Sequence, residues 1–492
     1  MKHSKNFLAF DLGASNGRGF VGKFDGEKLS IFELLRFEHT IISDTSRLCW
    51  DYEKIQQNIE KTFYLAAKNQ IPLDSFGIDA WGVDYALLNT HGQLLEAPRS
   101  YRRMCSSQME PVHAVISEKE LFLRTGLVAN PVDTLYQLYR MNLEQPSPLQ
   151  EAQDFLMLPS YFSYYLTGEK NNEYTEVTTS MLYSIEQNTW DYNLLDRLQL
   201  PSQILGSIIS PGTRAGTLNN SIAFETGYHH LPHVYVATED TASAAISVTA
   251  GKNCAFCSSG TWSLVGIESE KPVLTDFARN NYFSNEGNLG NTFRPIQNIN
   301  GMWIIQECKK DWDALGYSLT WDMITSAAAS EPPFRSIIDV DDDLFFGTGN
   351  MIGRIQAYCQ STKQPVPESV GQIARCFYDS LSLRYKRSFH QCCTISKKAL
   401  DVFNIIGGGS KNKFMNQLTA DVLGVPVIAG PDEAAVIGNI IAQAIAFGEI
   451  QDLEEGRDLI RRSFSIETFY PQRSLANDET YHYYLSLIRK EL

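Results

Sequence analysis

Apolar and polar residues alternate with two different periods along the chain, and the places where the period changes mark its elements. Residues 6–24 open with the apolar run FLAF, pass through DLGASNGRG and resume as FVGKF. This predicts strand, turn, strand, with a third strand near residues 29–37. Ile55, Ile59, Phe63 and Ala66 or Ala67 recur at helical spacing and predict a helix over residues 53–68. Residues 75–79 and 85–88 read as strands on either side of a turn at residues 80–82. Helical patterns dominate from about residue 118 to residue 168. HVYVATEDTASAAIS begins as a buried strand and ends as a helix, with Thr238, Asp240 and Thr241 as suitable N-caps.

Just past the midpoint, NCAFCSSGTWSLVGIES repeats the opening strand, small-residue turn and strand. The recurrence predicts two related halves, residues 1–249 and 250–492. Helices are expected near residues 301–315 and 368–390. A buried strand at 401–406 runs into GGGSKN, followed by a helix at 414–423, a strand at 425–429 and an apolar helix at 434–447. A last helix is expected near residues 479–490. The fold class is α/β, with mixed sheets because the leading hairpins are antiparallel.

At 492 residues, the chain is long enough for two domains with sizeable cores. With 43% hydrophobic and 20% charged residues it reads as globular. A formal net charge of -15 argues against a nucleic-acid partner. No apolar run reaches bilayer-spanning length, and the opening stretch, with Lys2 and Lys5, is too short in apolar residues for a signal peptide. A cytoplasmic protein, without membrane contact, is expected. Nine cysteines are spread thinly, which is no disulfide framework. Cys254 and Cys257 form a lone C-x-x-C with no second pair to complete a zinc site. Cys359 and Cys376 flank a proline-containing loop and are expected as free thiols in a reducing compartment.

Three turns could carry chemistry. In DLGASNGRG, Gly13 and Gly17 let the backbone aim several N–H groups at one point, and Ser15, Asn16 and Arg18 add donors. This suits an anion such as phosphate, although a plain hairpin turn would look similar. Asp11 beside it is suited to holding magnesium through water. Gly17-x-Gly19-x-x-Gly22 is no dinucleotide fingerprint, because a strand rather than a helix follows it. The second turn is Ser258-Ser259-Gly260-Thr261-Trp262. The third, Gly407-Gly408-Gly409-Ser410-Lys411-Asn412, leaves room for a flat ligand close to the backbone. Asp240, at a strand end before a helix, is the candidate base for transfer of a phosphoryl group to an alcohol. Asp79, Trp81, Gly82 and Asp84 form a polar turn suited to sugar hydroxyls, and Asn298 is a further polar candidate.

DLGASNGR, GIDAWGVD, EDTASA, SSGTWSLVG and IIGGGSKNKFMNQLTADVLGVPV, in this order, resemble the FGGY carbohydrate kinases of the actin-like ATPase superfamily. The resemblance runs over nearly the whole chain. It implies two actin-like (ribonuclease H-like) ATPase domains around a central cleft, with ATP and Mg2+ as cofactors. GIDAWGVDYALL, LPSYFSYYLTG, NEYTEVTTSML and NINGMWIIQE narrow the implied acceptor to L-rhamnulose, phosphorylated at its 1-hydroxyl. The same resemblance implies Asp240 as proton acceptor. It places Ala14, Ser15, Asn16, Gly17, Arg18, Thr261, Gln306 and Gly409 at ATP, and Gly82, Glu239, Asp240, Thr241 and Asn298 at the sugar. It also implies that Cys359 and Cys376 stand where relatives can form a disulfide. One position departs from the pattern: His is expected before Asp240, and Glu239 stands there. L-Fuculose and L-xylulose therefore stay open as acceptors, as does an actin-like ATP-binding module without kinase activity. The chain is expected to be a monomer or homodimer.

Overall fold

The computed structural model describes residues 4–44, 47–473, 475 and 478–488. Lys2 at the start and the expected helix end at Lys490 lie outside them. The chain divides into two compact units. One comprises Met1–Ser247, Glu268–Pro295 and Ala434–Phe464, and the other Val248–Ile267, Ile296–Glu433 and Ser465–Leu492.

The first unit is built on a six-stranded sheet in the order Thr213–Thr217, Pro232–Tyr235, Ser75–Ala80, Lys5–Leu12, Asn16–Phe24, Leu29–Glu38. The three opening strands form an antiparallel meander. Lys5–Leu12 then runs parallel to Ser75–Ala80, and Ser75–Ala80 parallel to Pro232–Tyr235, while Thr213–Thr217 closes the edge antiparallel. The central strand NFLAFDL is buried along both faces, as a strand with parallel and antiparallel neighbours must be. The outer strand Leu29–Glu38 is mostly exposed or half-buried, and its charges protect a free edge.

The second unit repeats this plan. The strand Phe293–Asn300, through residues 296–300, pairs antiparallel with Trp262–Gly266, which pairs antiparallel with Cys254–Ser259. Val402–Ile406 and Val427–Ala429 add in parallel, and Glu467–Phe469 closes the edge antiparallel. A meander, two parallel additions and an antiparallel edge thus occur twice, so the recurrence seen in the hairpins extends to whole sheets.

The predicted helices at 53–68, 301–315, 368–390, 414–423 and 434–447 are found as Tyr52–Lys68, Trp303–Ala314, Val370–Ser396, Lys413–Leu423 and Ala434–Ala446. The helical stretch expected over 118–168 is interrupted by the strand Asp154–Met157, which pairs with Tyr85–Leu88. Its apolar run flows straight into the helix Leu158–Thr167, so no change of period marks the join. All nine cysteines are free thiols, and Cys359 and Cys376 lie side by side, both buried.

Within the first unit, the helix Ala434–Ala446 packs against the central strands. Gln443 Nε2 donates to Leu8 O (3.0 Å) and to Asn439 Oδ1 (2.8 Å), and Ser75 Oγ donates to Gln443 Oε1 (2.7 Å). Asn439 Nδ2 in turn donates to Asp79 Oδ2 (2.6 Å). This buried polar line runs through an otherwise apolar interface and ends at the sheet's carboxyl edge.

Candidate active site

Three strands of the first unit end side by side. Asp11 stands opposite Asp79 on the neighbouring parallel strand, and Ala80 bridges to Glu239. Ala80 N donates to Thr238 O (2.8 Å) and Trp81 N to Leu12 O (3.1 Å). The carboxyl ends of these strands therefore present Asp11, Asp79 and Asp240 together, at the edge where α/β sheets hold their ligands.

The first turn sits above Asp11. Arg18 faces Asp11 across the hairpin and forms an ion pair with its Oδ2. Gly17 lies under the Phe37 ring, where a Cβ would overlap it. Ser15 is exposed and its carbonyl accepts from His39 N (3.1 Å), while Arg102 Nη2 donates to Ala14 O (2.6 Å). Arg102 brings to the turn a second cation that the sequence reading missed. It comes from a distant loop, and its guanidinium lies 5.5 Å over the Trp50 ring.

Asp79 is fully buried, and its Oδ1 has no protein partner. Burial, then the neighbouring Asp11 carboxylate, push its carboxyl well above the usual range. Among the described residues, no three His, Cys, Asp or Glu side chains form a metal-holding group. An orphaned carboxyl oxygen beside Asp11 fits the water shell of a hydrated cation better than direct ligation.

Asp240 is the first residue of the helix Asp240–Ile246 and keeps part of its surface open. Its Oδ1 accepts from Thr241 Oγ1 (3.0 Å). Burial, then Glu239 and Asp11, raise its carboxyl well above the ordinary value. The expected N-caps Thr238, Asp240 and Thr241 give way to Glu239, whose Oε2 accepts from Ala242 N (2.7 Å). Thr238 is occupied elsewhere, donating through Oγ1 to Glu173 Oε2 (2.7 Å).

Glu239 also forms an ion pair with Arg294, which is fully buried. Arg294 reaches Glu286 Oε2 (2.8 Å) and Gly287 O (2.5 Å) as well. The guanidinium and the cap both draw on one oxygen of Glu239, so its position is fixed by the scaffold. Burial first, moderated by Arg294, moves Glu286 up to about 7.

The polar turn after Asp79 differs from the sugar-gripping role expected of Asp84 and Trp81. Asp84 is fully buried, and its Oδ2 accepts from both Trp50 Nε1 (2.6 Å) and Trp81 Nε1 (3.0 Å). Its Oδ1 accepts from Gln137 Nε2 (3.2 Å). Two indoles and an amide satisfy it, so Asp84 braces the turn from within. Gly82 remains half-buried against Thr179, and Val83 N donates to Thr179 Oγ1 (3.3 Å).

In the second unit the second and third turns meet. Gly409 lies against the Ser259 side chain, where a Cβ would overlap Ser259 Oγ. Gly407 adopts φ +80°, and its N donates to Pro431 O (2.9 Å). Thr261 is exposed at the hairpin tip, and its Oγ1 donates to Gln306 Oε1 (3.4 Å). Trp303 N donates to Thr261 O (3.1 Å), which ties the helix carrying Gln306 to the turn. Asn298 is exposed on the strand beside this hairpin, opposite Leu264.

Residues 6–247 match the N-terminal domain of the FGGY family of carbohydrate kinases, and residues 255–447 match its C-terminal domain. The chain is 37% identical over 487 residues to a rhamnulokinase from Bacteroides thetaiotaomicron, covering 99% of this chain and 100% of that protein. It is 35% identical over 472 residues to a rhamnulokinase from Bacillus subtilis, covering 95% of each. Xylulose kinase from Lactobacillus acidophilus superposes with a TM-score of 0.79 at 14% identity, covering 98% of this chain and 96% of that one. Plasmodium falciparum glycerol kinase with ADP superposes with a TM-score of 0.78 at 14% identity and the same coverage. At such identities the two structures speak for the fold.

Proposed function

The chain belongs to the FGGY family of carbohydrate kinases, and we propose that it transfers the γ-phosphoryl group of ATP to the 1-hydroxyl of L-rhamnulose, giving ADP and L-rhamnulose 1-phosphate. The family's two-domain, ribonuclease H-like fold of mixed α/β content accounts for the repeated sheet plan. The observation that carries the sugar assignment is relatedness to rhamnulokinases along nearly the full length of both proteins.

In this reading, Asp240 accepts the proton of the 1-hydroxyl as that oxygen bonds to the γ-phosphorus and the bond to ADP breaks. A carboxyl raised by burial and by neighbouring carboxylates is a stronger base than a solvated one. Gly82, Glu239, Thr241 and Asn298 complete the sugar contacts. Glu239 contributes by fixing the start of the helix that carries Asp240. Ala14, Ser15, Asn16, Gly17 and Arg18 cradle phosphate, while Thr261, Gln306 and Gly409 contact ATP. Residues 1–249 supply the base and most of the sugar site, and residues 250–492 the adenosine site together with Asn298. Mg2+, held through water by Asp11 and Asp79, would neutralise charge on the phosphates. Among the described residues no helix is long and apolar enough to cross a membrane, and we place the enzyme in the cytoplasm.

The test is a panel of L-rhamnulose, L-fuculose and L-xylulose in a coupled ADP assay. L-Rhamnulose is expected to give the highest kcat/KM. A higher value for another ketose would overturn the sugar assignment, and ADP release indifferent to added sugar would overturn the transfer itself.

The adenosine assignment has its own check. Gly409→Ala pushes a methyl into Ser259 Oγ and is expected to raise KM for ATP by about tenfold or more, leaving KM for the sugar unchanged. Adding Ser259→Gly, which removes the clashing atoms, is expected to restore most of the loss.

A further inference from the structure

The short helix Tyr174–Val177 and its flanks fasten together three walls of the proposed sugar site. Glu173 Oε2 accepts from Thr238 N (2.9 Å) and from Thr175 Oγ1 (2.5 Å). Thr175 Oγ1 accepts from Glu239 N (3.2 Å). Thr178 Oγ1 accepts from Gly287 N (2.7 Å), next to Glu286. Thr179 Oγ1 reaches Val83 N, beside Gly82. Each of these side chains is used up in bracing the scaffold.

Glu176 is different. It is fully buried, and neither carboxyl oxygen has a protein partner. The charges that weigh most on it, Glu239, Glu173, Asp240 and Asp84, are negative. The cation of this neighbourhood, Arg294, is already shared by Glu239, Glu286 and Gly287 O. Burial, then Glu239 and Glu173, push the Glu176 carboxyl well above the usual range, which favours the neutral acid. A neutral carboxylic acid carries one donor and spare acceptors. Leaving both oxygens unmatched costs the folded protein about 1–3 kcal/mol, with nothing in the scaffold to offset it.

We propose that Glu176 is a specificity-determining ligand of the acceptor sugar, its buried carboxyl hydrogen-bonding a ring or chain hydroxyl between the Gly82–Val83 turn and Glu239–Asp240. This rests on the sugar kinase reading and adds a residue to it. The group matched by Glu176 is a polyol hydroxyl, so an analogue lacking that hydroxyl leaves the carboxyl unpaired and binds poorly.

Two variants test it, in the full chain. Glu176→Leu is expected to weaken binding of the ketose, measured by calorimetry without nucleotide, by about tenfold or more, with nucleotide affinity unchanged. Because it removes an unmatched buried carboxyl, its melting temperature is expected to equal or exceed that of the parent. Glu176→Gln keeps a donor and an acceptor in the same shape and is expected to hold ketose affinity within about threefold. Deoxy analogues of the ketose supply a second readout. One of them is expected to bind the parent and Glu176→Gln as weakly as the full sugar binds Glu176→Leu. Unchanged ketose affinity in Glu176→Leu overturns the proposal. So does a fall in melting temperature with parallel loss of both ligands, which marks a scaffold residue. If Glu176→Leu does not fold, equal losses for every deoxy analogue with the parent overturn it instead. A parent protein that takes a different ketose overturns the sugar assignment alone, and the variants are then read with that ketose.

Discussion

Asp240→Asn is expected to lower kcat by at least about 10² while ATP affinity survives. The substitution keeps the shape of the side chain and can still accept from Thr241 Oγ1 through its amide oxygen. It removes only the capacity to take a proton. A factor of 10² corresponds to about 2.7 kcal/mol of transition-state stabilisation. The same variant makes a second, opposite forecast for stability. The folded carboxyl is raised above its unfolded value of 3.8, so the unfolded chain releases this proton more readily. The group's contribution to stability is fully present below that value and is lost as pH rises through the folded pKa. At neutral pH the Asp240 carboxyl therefore opposes folding, and Asp240→Asn is expected to melt no lower than the parent. Turnover and melting curves at neutral pH check both. Near-normal turnover would remove Asp240 from the mechanism.

Arg294→Met is expected to cost about 3–5 kcal/mol of folding stability, because it leaves Glu239 and Glu286 buried without their counter-charge. Urea unfolding measures it directly. The sign of its pH dependence follows from Glu286, which already lies up at about 7 with Arg294 in place. Without the guanidinium Glu286 rises further, so the variant is expected to regain stability as pH falls below neutral and that carboxyl takes up its proton. Replacing all three members, with Glu239→Gln and Glu286→Gln added, is expected to recover most of the loss, since buried ion groups contribute little net stability as a set. An Arg294→Met protein that unfolds with the parent would show that water reaches these carboxylates. The same variant loosens the cap on the Asp240 helix, so its kcat is expected to fall more than its KM for ATP rises.

The hairpins were legible because apolar runs broken by small residues leave few other options. The stretch from Asn16 to Phe24 and the stretch from Cys254 to Gly266 are each too short, and too often broken by glycine and serine, to sustain a helical period. The place of Asp240 was legible because an apolar strand passing into a helical period marks the join where the structure puts it, as the first residue of the helix Asp240–Ile246. Arg294 was not. It is one cation in the strand Phe293–Asn300, and only its partners, Glu239 and Glu286, distinguish a buried ion pair from an exposed arginine. Glu239 read as a substituent beside the base, because capping depends on which residue turns first and not on composition. Glu173 and Glu176 stood in view within NEYTEVTTS, two acids in a buried segment, and that excess of buried charge was the available signal. Asn439 and Gln443 could not have been found locally. Their partners Asp79 and Leu8 lie hundreds of positions away, and no period in the sequence records such a contact.

The polar line from Ser75 through Gln443 and Asn439 to Asp79 sets a timetable for biosynthesis. Strands Lys5–Leu12 and Ser75–Ala80 leave the ribosome early, but the helix that satisfies them begins at Ala434. At about 5–20 residues per second, the first sheet waits on the order of 20–70 s for that cover. Throughout that interval a nascent apolar face, and the acid at its end, stand without their partners. A chain interrupted anywhere before Asn439 would therefore expose a sticky half-built sheet, which makes such truncations natural clients of chaperones and proteases.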